Sequence, residues 1–429
     1  MDAKRIIVQW MEFSIPKIQQ RHYAIDLSTD FIWTIIGARR TGKTYFCFQI
    51  IQQLIEQGIT RNDILYINFE DERLLGASAD DLTDLLDAYY ELTNSSKKRT
   101  IYLFLDEIQN VANWDAWVRR IHDTDKGIKL VLTGSSSKLL SKEISTRLRG
   151  RVLSREIYPL SFAELLAWEE IAYDQKTIAH SKRRYRIKQT FEKYLVGGGF
   201  PAVVTNPHLE EEILQSYYDS MIFRDIVERH NIKDAKKLKM VGKMLFERVA
   251  NDISYSKLAN KLKSAGYDFS KNTIVEYLSH FEDAYIFFQN LKYEYSLTKQ
   301  LGAIKKLYCI DNGLLNAVSF KFSKDFGTLL ENAAYIALKR AGKEVYYHRQ
   351  SYECDFLIKS KNRVVEAIQV TRALTDENRA REIRGLIEAM KEYKMKKGTI
   401  IVHEGEENEE VVEGMQISYI PAWRWFLQV

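Results

Sequence analysis

The sequence predicts an α/β protein of several units, and two observations carry that prediction. In the N-terminal third, short β-rich apolar runs alternate with helical stretches, and in the C-terminal quarter the same alternation returns. The chain has 429 residues, which at roughly 150 residues per domain suggests about three domains. Apolar residues make up 45% and charged residues 28%, a globular composition that excludes a largely disordered chain. No apolar run approaches the roughly 20 residues of a membrane span, so no membrane partner is expected. The opening MDAKRIIVQWMEF lacks the apolar core and cleavage site of a secretory signal. Cys47, Cys309 and Cys354 lie far apart and are odd in number, which fits neither a disulfide framework nor a zinc site. A cytoplasmic setting is expected. The net charge of +5 is too small to imply nucleic acid by itself. The basic cluster Lys182, Arg183, Arg184, Arg186, Lys188 and the acidic stretch from Glu404 to Glu413 read as solvated faces.

Pattern divides the chain into four segments. Residues 1–155 contain the runs FIWTII, ILYINF, IYLFLD and KLVLTG, separated by helical stretches. Near-continuous apolar strands alternating with helices predict a parallel sheet covered on both faces. Residues 156–239 read as helical, a lid or linker, broken at Gly197-Gly198-Gly199-Phe200-Pro201, where a turn belongs. In residues 240–320, SKLANKLKSAG closes on Gly266 and Ser270 is the N-cap expected for NTIVEYLSHFEDA. IFFQNLKYEYS and KKLYCID then read as a β-ribbon, which completes a winged-helix pattern. Residues 321–429 form a separate α/β unit: the helix GTLLENAAYIALKRAG, strands EVYYHR, CDFLIK and VVEAIQVT, the helix AREIRGLIEAMKEYK, and strands GTIIVH and ISYIP. Four segments replace three domains because the lid and the winged helix are small.

Gly37-Ala38-Arg39-Arg40-Thr41-Gly42-Lys43-Thr44 matches G-x-x-x-x-G-K-[ST], the Walker A pattern, between an apolar strand and a helical stretch. The glycines let backbone N–H groups wrap phosphates, Lys43 reaches the β- and γ-phosphates, and the Thr44 hydroxyl ligates Mg²⁺. The start of the following helix adds partial positive charge. The strand Ile101–Leu105 then ends in Asp106-Glu107, a Walker B arrangement. Asp106 is the expected metal holder, and Glu107 the group that orients or activates the attacking water. The cofactors this pattern implies are ATP and Mg²⁺. KLVLTG ends in Ser135-Ser136-Ser137, where a serine either senses the γ-phosphate or caps the next helix. Ser135 is the sensor candidate. In Arg147-Leu148-Arg149-Gly150-Arg151, Arg149 and Arg151 are candidates for an arginine finger that stabilises transition-state charge on a neighbouring subunit.

With these residues in hand, the chain resembles a prokaryotic family of two-part ATPases, in which an AAA-plus-type P-loop domain precedes a restriction-endonuclease-like C-terminal domain of unknown function. The resemblance runs through GARRTGKTYF, LFLDEIQNV, LTGSSSKLL, LRGR with YPLSFAELL, GGGFP, GTLLENAAY and ECDFLIK. It implies ATP, Mg²⁺, an AAA-plus-like core and assembly into homo-oligomers, and little about the physiological substrate. Nucleases of the restriction-endonuclease-like type use a helix Glu, a strand Asp and then Glu-x-Lys on the next strand. Glu331 and Asp355 match the first two. The third strand places Gln369 at the Glu position and Thr371 at the Lys position, so the lysine is missing. This implies a degenerate nuclease fold kept for binding or packing.

In the winged-helix segment, Lys271 and residues Asn272 to Tyr277 would start the helix that enters a DNA major groove. Lys292, Lys299, Lys305 and Lys306 would carry phosphate contacts on the wing. Packing against a neighbouring domain is the competing reading. The function expected is a Mg-dependent ATPase, oligomeric and associated with double-stranded DNA. The alternatives are an ATP-regulated DNA nuclease and a nucleotide-gated switch with little turnover.

Overall fold

The computed structural model describes residues 2–93, 99–135, 148, 150–174, 178, 182–319 and 325–429. The chain divides into two compact units, Met1–Ile157 and Tyr158–Val429.

In the first unit, β1 (Ile32–Ile36), β2 (Ile64–Asn68), β3 (Ile101–Asp106), β4 (Ile128–Gly134) and β5 (Val152–Glu156) form one sheet in the order β2-β3-β4-β1-β5. Every pairing is parallel. The helices Ala3–Glu12, Lys43–Glu56, Ala79–Thr93 and Trp114–Thr124 bury apolar side chains in the same core. All five residues of β1 are buried, as an interior strand covered on both faces requires. The four apolar runs are β1 to β4. The fifth strand, VLSRE, was not among them, because an edge strand with two of its five residues exposed and none buried carries no apolar run. The order has a functional consequence. β4 lies between β1, which feeds the Gly37–Thr44 loop, and β3, which ends at Asp106, so the tips of all three strands are neighbours.

The second unit begins with helices. Phe162–Trp168 starts with a reciprocal cap between Ser161 and Glu164. Arg183–Gly197 ends at the glycine run, and Pro201–Thr205 begins with proline in its first turn. Gly198 has φ 74 and ψ −159, and Gly199 N–H donates to Asp311 Oδ2 at 2.7 Å. The GGGFP segment is therefore a close docking site for a buried carboxylate as well as a turn. Leu314 N–H donates to Asp311 Oδ1 at 3.1 Å, so one carboxylate joins the glycine turn to the start of the helix Asn312–Val318.

The helices Tyr255–Ser264 and Lys271–Asp283 form the expected pair. Gly266 takes a left-handed φ of 84 after the first, and Ser270 Oγ accepts from Thr273 N–H at 3.0 Å at the start of the second. The strands that follow do not stand apart as a wing. β6 (Asn251–Ile253), β7 (Phe287–Lys292), β8 (Lys305–Cys309), β9 (Glu344–Arg349), β10 (Glu353–Ser360), β11 (Arg363–Thr371), β12 (Lys397–Val402), β13 (Asn408–Val412) and β14 (Met415–Pro421) form one nine-stranded sheet. Its order is β13-β14-β12-β11-β10-β9-β7-β8-β6. β7 runs parallel to β9 through Leu291 opposite Tyr346 and Lys292 opposite Tyr347. The division expected between residues 320 and 321 thus falls within a single sheet. The physical reason is that Phe287, Leu307, Tyr308 and Cys309 are fully buried, which suits interior strands and not a solvated ribbon.

Candidate functional site

The loop after β1 takes its shape from residues that only this sequence pattern supplies. Gly37 has φ 143, and a Cβ there would stand 2.2 Å from the Ile157 carbonyl oxygen, so no other residue fits. Gly42 is left-handed (φ 95) and opens the helix Lys43–Glu56. Having no side chain, it places no cap on the first-turn N–H groups of that helix. Thr41 Oγ1 donates to the Ala38 carbonyl at 2.9 Å, and Arg21 Nη1 donates to the Thr41 carbonyl at 2.7 Å. Arg40 has φ 68 at the loop's tip, and Arg39 pairs with Glu70 at 2.8 Å. Lys43 is buried, and its Nζ donates to the carbonyls of Gly37 at 3.2 Å and Ala38 at 3.1 Å.

Asp106 faces this loop. Its Oδ2 accepts from Thr44 Oγ1 at 2.7 Å and Tyr66 OH at 2.6 Å, and its Oδ1 accepts from Thr133 Oγ1. Thr133 also accepts from Glu107 N–H at 2.9 Å, so one hydroxyl on β4 fixes both acids. Glu107 is left-handed (φ 53), which turns its carboxylate off the line of β3. There Glu107 Oε1 lies 3.8 Å from Lys43 Nζ, and its Oε2 accepts from Gln109. Burial raises the Glu107 pKa above the ordinary carboxylate range, and Lys43 partly offsets that rise. Burial also raises the Tyr66 hydroxyl, with the Asp106 charge adding to it, so Tyr66 is a proton donor to that carboxylate.

Of the residues singled out in sequence, Lys43, Thr44, Asp106 and Glu107 are brought together. Ser135 is fully buried immediately after β4, at the tip between the loop and the acids. Arg151 pairs with Asp123 at 2.6 Å inside its own unit. Arg149, Ser136 and Ser137 lie outside the described residues. Tyr66, Thr133, Gln109 and Arg21 were not anticipated. The only sequence signal for Thr133 is a polar residue closing the apolar run KLVLTG, and none marks the others.

The nuclease-like positions are only partly assembled. Gln369 Oε1 accepts from Asp355 N–H at 3.2 Å, and its Nε2 donates to Glu382 Oε2 at 2.6 Å. Thr371 Oγ1 instead donates to the Ala373 carbonyl at 3.2 Å. Lys306 corrects an expectation. It is buried, not displayed on a wing, and its Nζ donates to Glu331 at 2.6 Å, Glu353 at 2.7 Å and Asp355 at 3.3 Å. The reason is the alternation of KKLYC on an interior strand, which turns Lys305 and Lys306 to opposite faces.

A five-stranded parallel sheet with a glycine-framed loop after β1 and Asp106-Glu107 at the tip of β3 defines a P-loop protein of AAA type. Family comparison agrees: an "AAA domain" matches residues 29–166. "Domain of unknown function (DUF8612)" matches residues 188–325 and "Domain of unknown function (DUF4143)" residues 326–424. The chain is 38% identical over 423 residues to the uncharacterized protein MJ1544 of Methanocaldococcus jannaschii, covering 96% of this chain and 91% of that protein. It is 32% identical over 401 residues to an uncharacterized protein of Haemophilus influenzae, covering 92% and 94%. The chain belongs to the family of these proteins. Among solved structures, the Aeropyrum pernix ORC1 protein in complex with DNA is 13% identical with a TM-score of 0.28, covering 73% of this chain and 89% of that one. AMPPCP-bound DnaA from Aquifex aeolicus is 13% identical with a TM-score of 0.23, covering 65% and 85%. Among the described residues, no helix is long and apolar enough to cross a membrane.

Proposed function

We propose that the protein binds and hydrolyses ATP with Mg²⁺, acting as a homo-oligomer associated with double-stranded DNA. The observation that carries the ATPase reading is the contact of Thr44 Oγ1 with Asp106 Oδ2 at 2.7 Å, with Glu107 3.8 Å from Lys43. These groups fit Mg·ATP. Loop N–H groups and the Lys43 ammonium suit phosphate oxygens, while the Thr44 hydroxyl and Asp106 carboxylate suit a hard cation. Bound Mg²⁺ supplies charge neutralisation at the β- and γ-phosphates. Glu107 then orients water and accepts its proton, with Thr133 fixing the backbone that aims it. Ser135 is the sensor candidate for the γ-phosphate, its burial after β4 supporting that reading, and Arg149 and Arg151 remain the finger candidates; Arg151 would have to exchange Asp123 for a neighbour's phosphate. The DNA reading rests on the helix pair, where Lys271, Asn272, Val275 and Glu276 are exposed at the start of the second helix. Three buried free thiols, Cys47, Cys309 and Cys354, suit a reducing cytoplasm.

Phosphate release by the wild type and by Lys43→Ala tests the reading. Hydrolysis that needs Mg²⁺ and disappears in Lys43→Ala is expected, and equal rates would refute it. Measuring the specific rate against protein concentration, with and without double-stranded DNA, tests assembly and DNA coupling in the same assay.

A further inference from the structure

The nine-stranded sheet surrounds one ammonium group with carboxylates. β8 turns Lys306 and Tyr308 to one face, and Lys306 is 2% exposed. An ammonium has three N–H donors. Here three acceptors meet them: Glu331 Oε1 at 2.6 Å, Glu353 Oε1 at 2.7 Å and Asp355 Oδ1 at 3.3 Å. Glu331 comes from the helix Phe326–Arg340, and the other two come from β10.

Two of the three remaining carboxylate oxygens, Glu353 Oε2 and Asp355 Oδ2, are engaged by other groups. Tyr308 OH donates to Glu331 Oε1 at 2.7 Å, and Val370 N–H donates to Asp355 Oδ2 at 3.0 Å. Glu353 Oε2 accepts from Arg349, whose other arm donates to Asp252 Oδ2 at 2.5 Å. Gln369, the one side chain here that offers a neutral carbonyl oxygen, spends it on Asp355 N–H. A divalent cation such as Mg²⁺ or Mn²⁺ demands several oxygens at about 2.0–2.2 Å around one point. The point on which these carboxylates converge already holds a positive charge.

We infer that the Lys306 ammonium is the resident cation of this carboxylate cluster, standing in the place a divalent metal would take, so that the nuclease-like site is closed to metal-dependent phosphodiester cleavage. The lysine missing from the third strand is thus present, contributed by β8, but as a counter-ion within a filled cage. Burial alone would lower the Lys306 pKa, yet the carboxylates, Glu331 foremost, hold it well above the ordinary value. Burial raises Asp355, with the Glu331 charge adding to it. The cluster also fastens β8, which belongs to the helix-pair segment, to a helix and strand that come later in the chain. Buried charges need such pairing, and removing one partner is strongly unfavourable.

The test is Mn²⁺ binding by the full chain without nucleotide, read by electron paramagnetic resonance of free Mn²⁺ and by calorimetry. The wild type is compared with Asp355→Asn, and both with Lys306→Met. The expected result is that no wild-type Mn²⁺ site is lost in Asp355→Asn. Lys306→Met should gain one Mn²⁺ site that the wild type lacks. That gained site should vanish in the double variant. A wild-type site abolished by Asp355→Asn overturns the inference, as does Mn²⁺-dependent DNA cleavage that Asp355→Asn abolishes. A folded Lys306→Met protein with no added site also overturns it, because the ammonium would not then be holding a metal's place. If Lys306→Met does not fold, the wild-type comparison decides alone.

Discussion

Gly198→Ala separates a backbone penalty from a packing penalty. Gly198 has φ 74, and a Cβ there would lie 2.1 Å from Asp311 Oδ1 and 2.3 Å from Oδ2. At φ 74 and ψ −159 the backbone lies in a region essentially restricted to glycine, where another residue costs roughly 1–3 kcal/mol. The contact adds a second cost, because the Asp311 carboxylate must withdraw from Gly199 N–H, now 2.7 Å away. A hydrogen bond to a charged group contributes about 1.5–3 kcal/mol, so the total is about 2.5–6 kcal/mol. Gly266→Ala is a control for positive φ without a close contact, since Gly266 has φ 84 and nothing within 4 Å of its Cβ. It should show the backbone cost alone, about 1–2 kcal/mol. Hydrogen exchange by mass spectrometry reads the difference where it acts, in the helices Arg183–Gly197 and Asn312–Val318. A gap of at least about 1.5 kcal/mol corresponds to exchange more than about tenfold faster in Gly198→Ala than in Gly266→Ala. Equal exchange in the two variants would refute the claim that the glycine run exists to admit Asp311.

Other consequences can be measured at the same scale. Glu107→Gln should keep ATP binding while hydrolysis falls by about 10²- to 10⁴-fold, the range for loss of a general base; phosphate release together with nucleotide titration checks both halves. Because burial raises the Glu107 pKa and the base must be ionised, the wild-type rate should climb with pH on an acid limb displaced above the ordinary carboxylate range, seen in a pH–rate profile. Thr133→Val removes the hydroxyl bonded to both Asp106 and Glu107 N–H, and should cost about 1–3 kcal/mol of stability in denaturant unfolding, with hydrolysis also reduced. Burial pushes the Asp311 carboxyl up to about 6, from an ordinary value near 3.8. The folded state therefore binds the proton more tightly than the unfolded state, and Asp311's contribution to stability is largest below about pH 4 and is lost as pH rises through about 6. Asp311→Asn should flatten that part of the stability–pH curve, and an unchanged slope would refute the assignment.

The P-loop unit was legible because its signals are local. A glycine-framed loop must follow a strand and start a helix, and buried parallel strands must be nearly all apolar, so FIWTII, IYLFLD and KLVLTG could be read directly. The edge strand Val152–Glu156 escaped because its exposed side chains need not be apolar. The helix pair was legible for the same local reason, since Gly266 and Ser270 mark where one helix ends and the next begins. The C-terminal region was only half legible. Its strands could be listed, but not that β7 would run beside β9 and draw the supposed wing into a larger sheet. Lys306 was misread for that reason. Whether a lysine on a strand meets solvent or a carboxylate cage depends on which strands lie beside it.

By itself, the sequence determined the α/β class, the phosphate-binding loop, and the roles available to Lys43, Thr44, Asp106 and Glu107, because backbone conformation and residue chemistry over a few positions suffice for those. Only the tertiary structure decided that Thr133 and Tyr66 hold Asp106, that Asp311 fills the glycine turn, and that Lys306 sits among Glu331, Glu353 and Asp355. Those partners come from strands and helices distant in the chain, and sheet pairing, which no local pattern encodes, brings them within hydrogen-bonding reach.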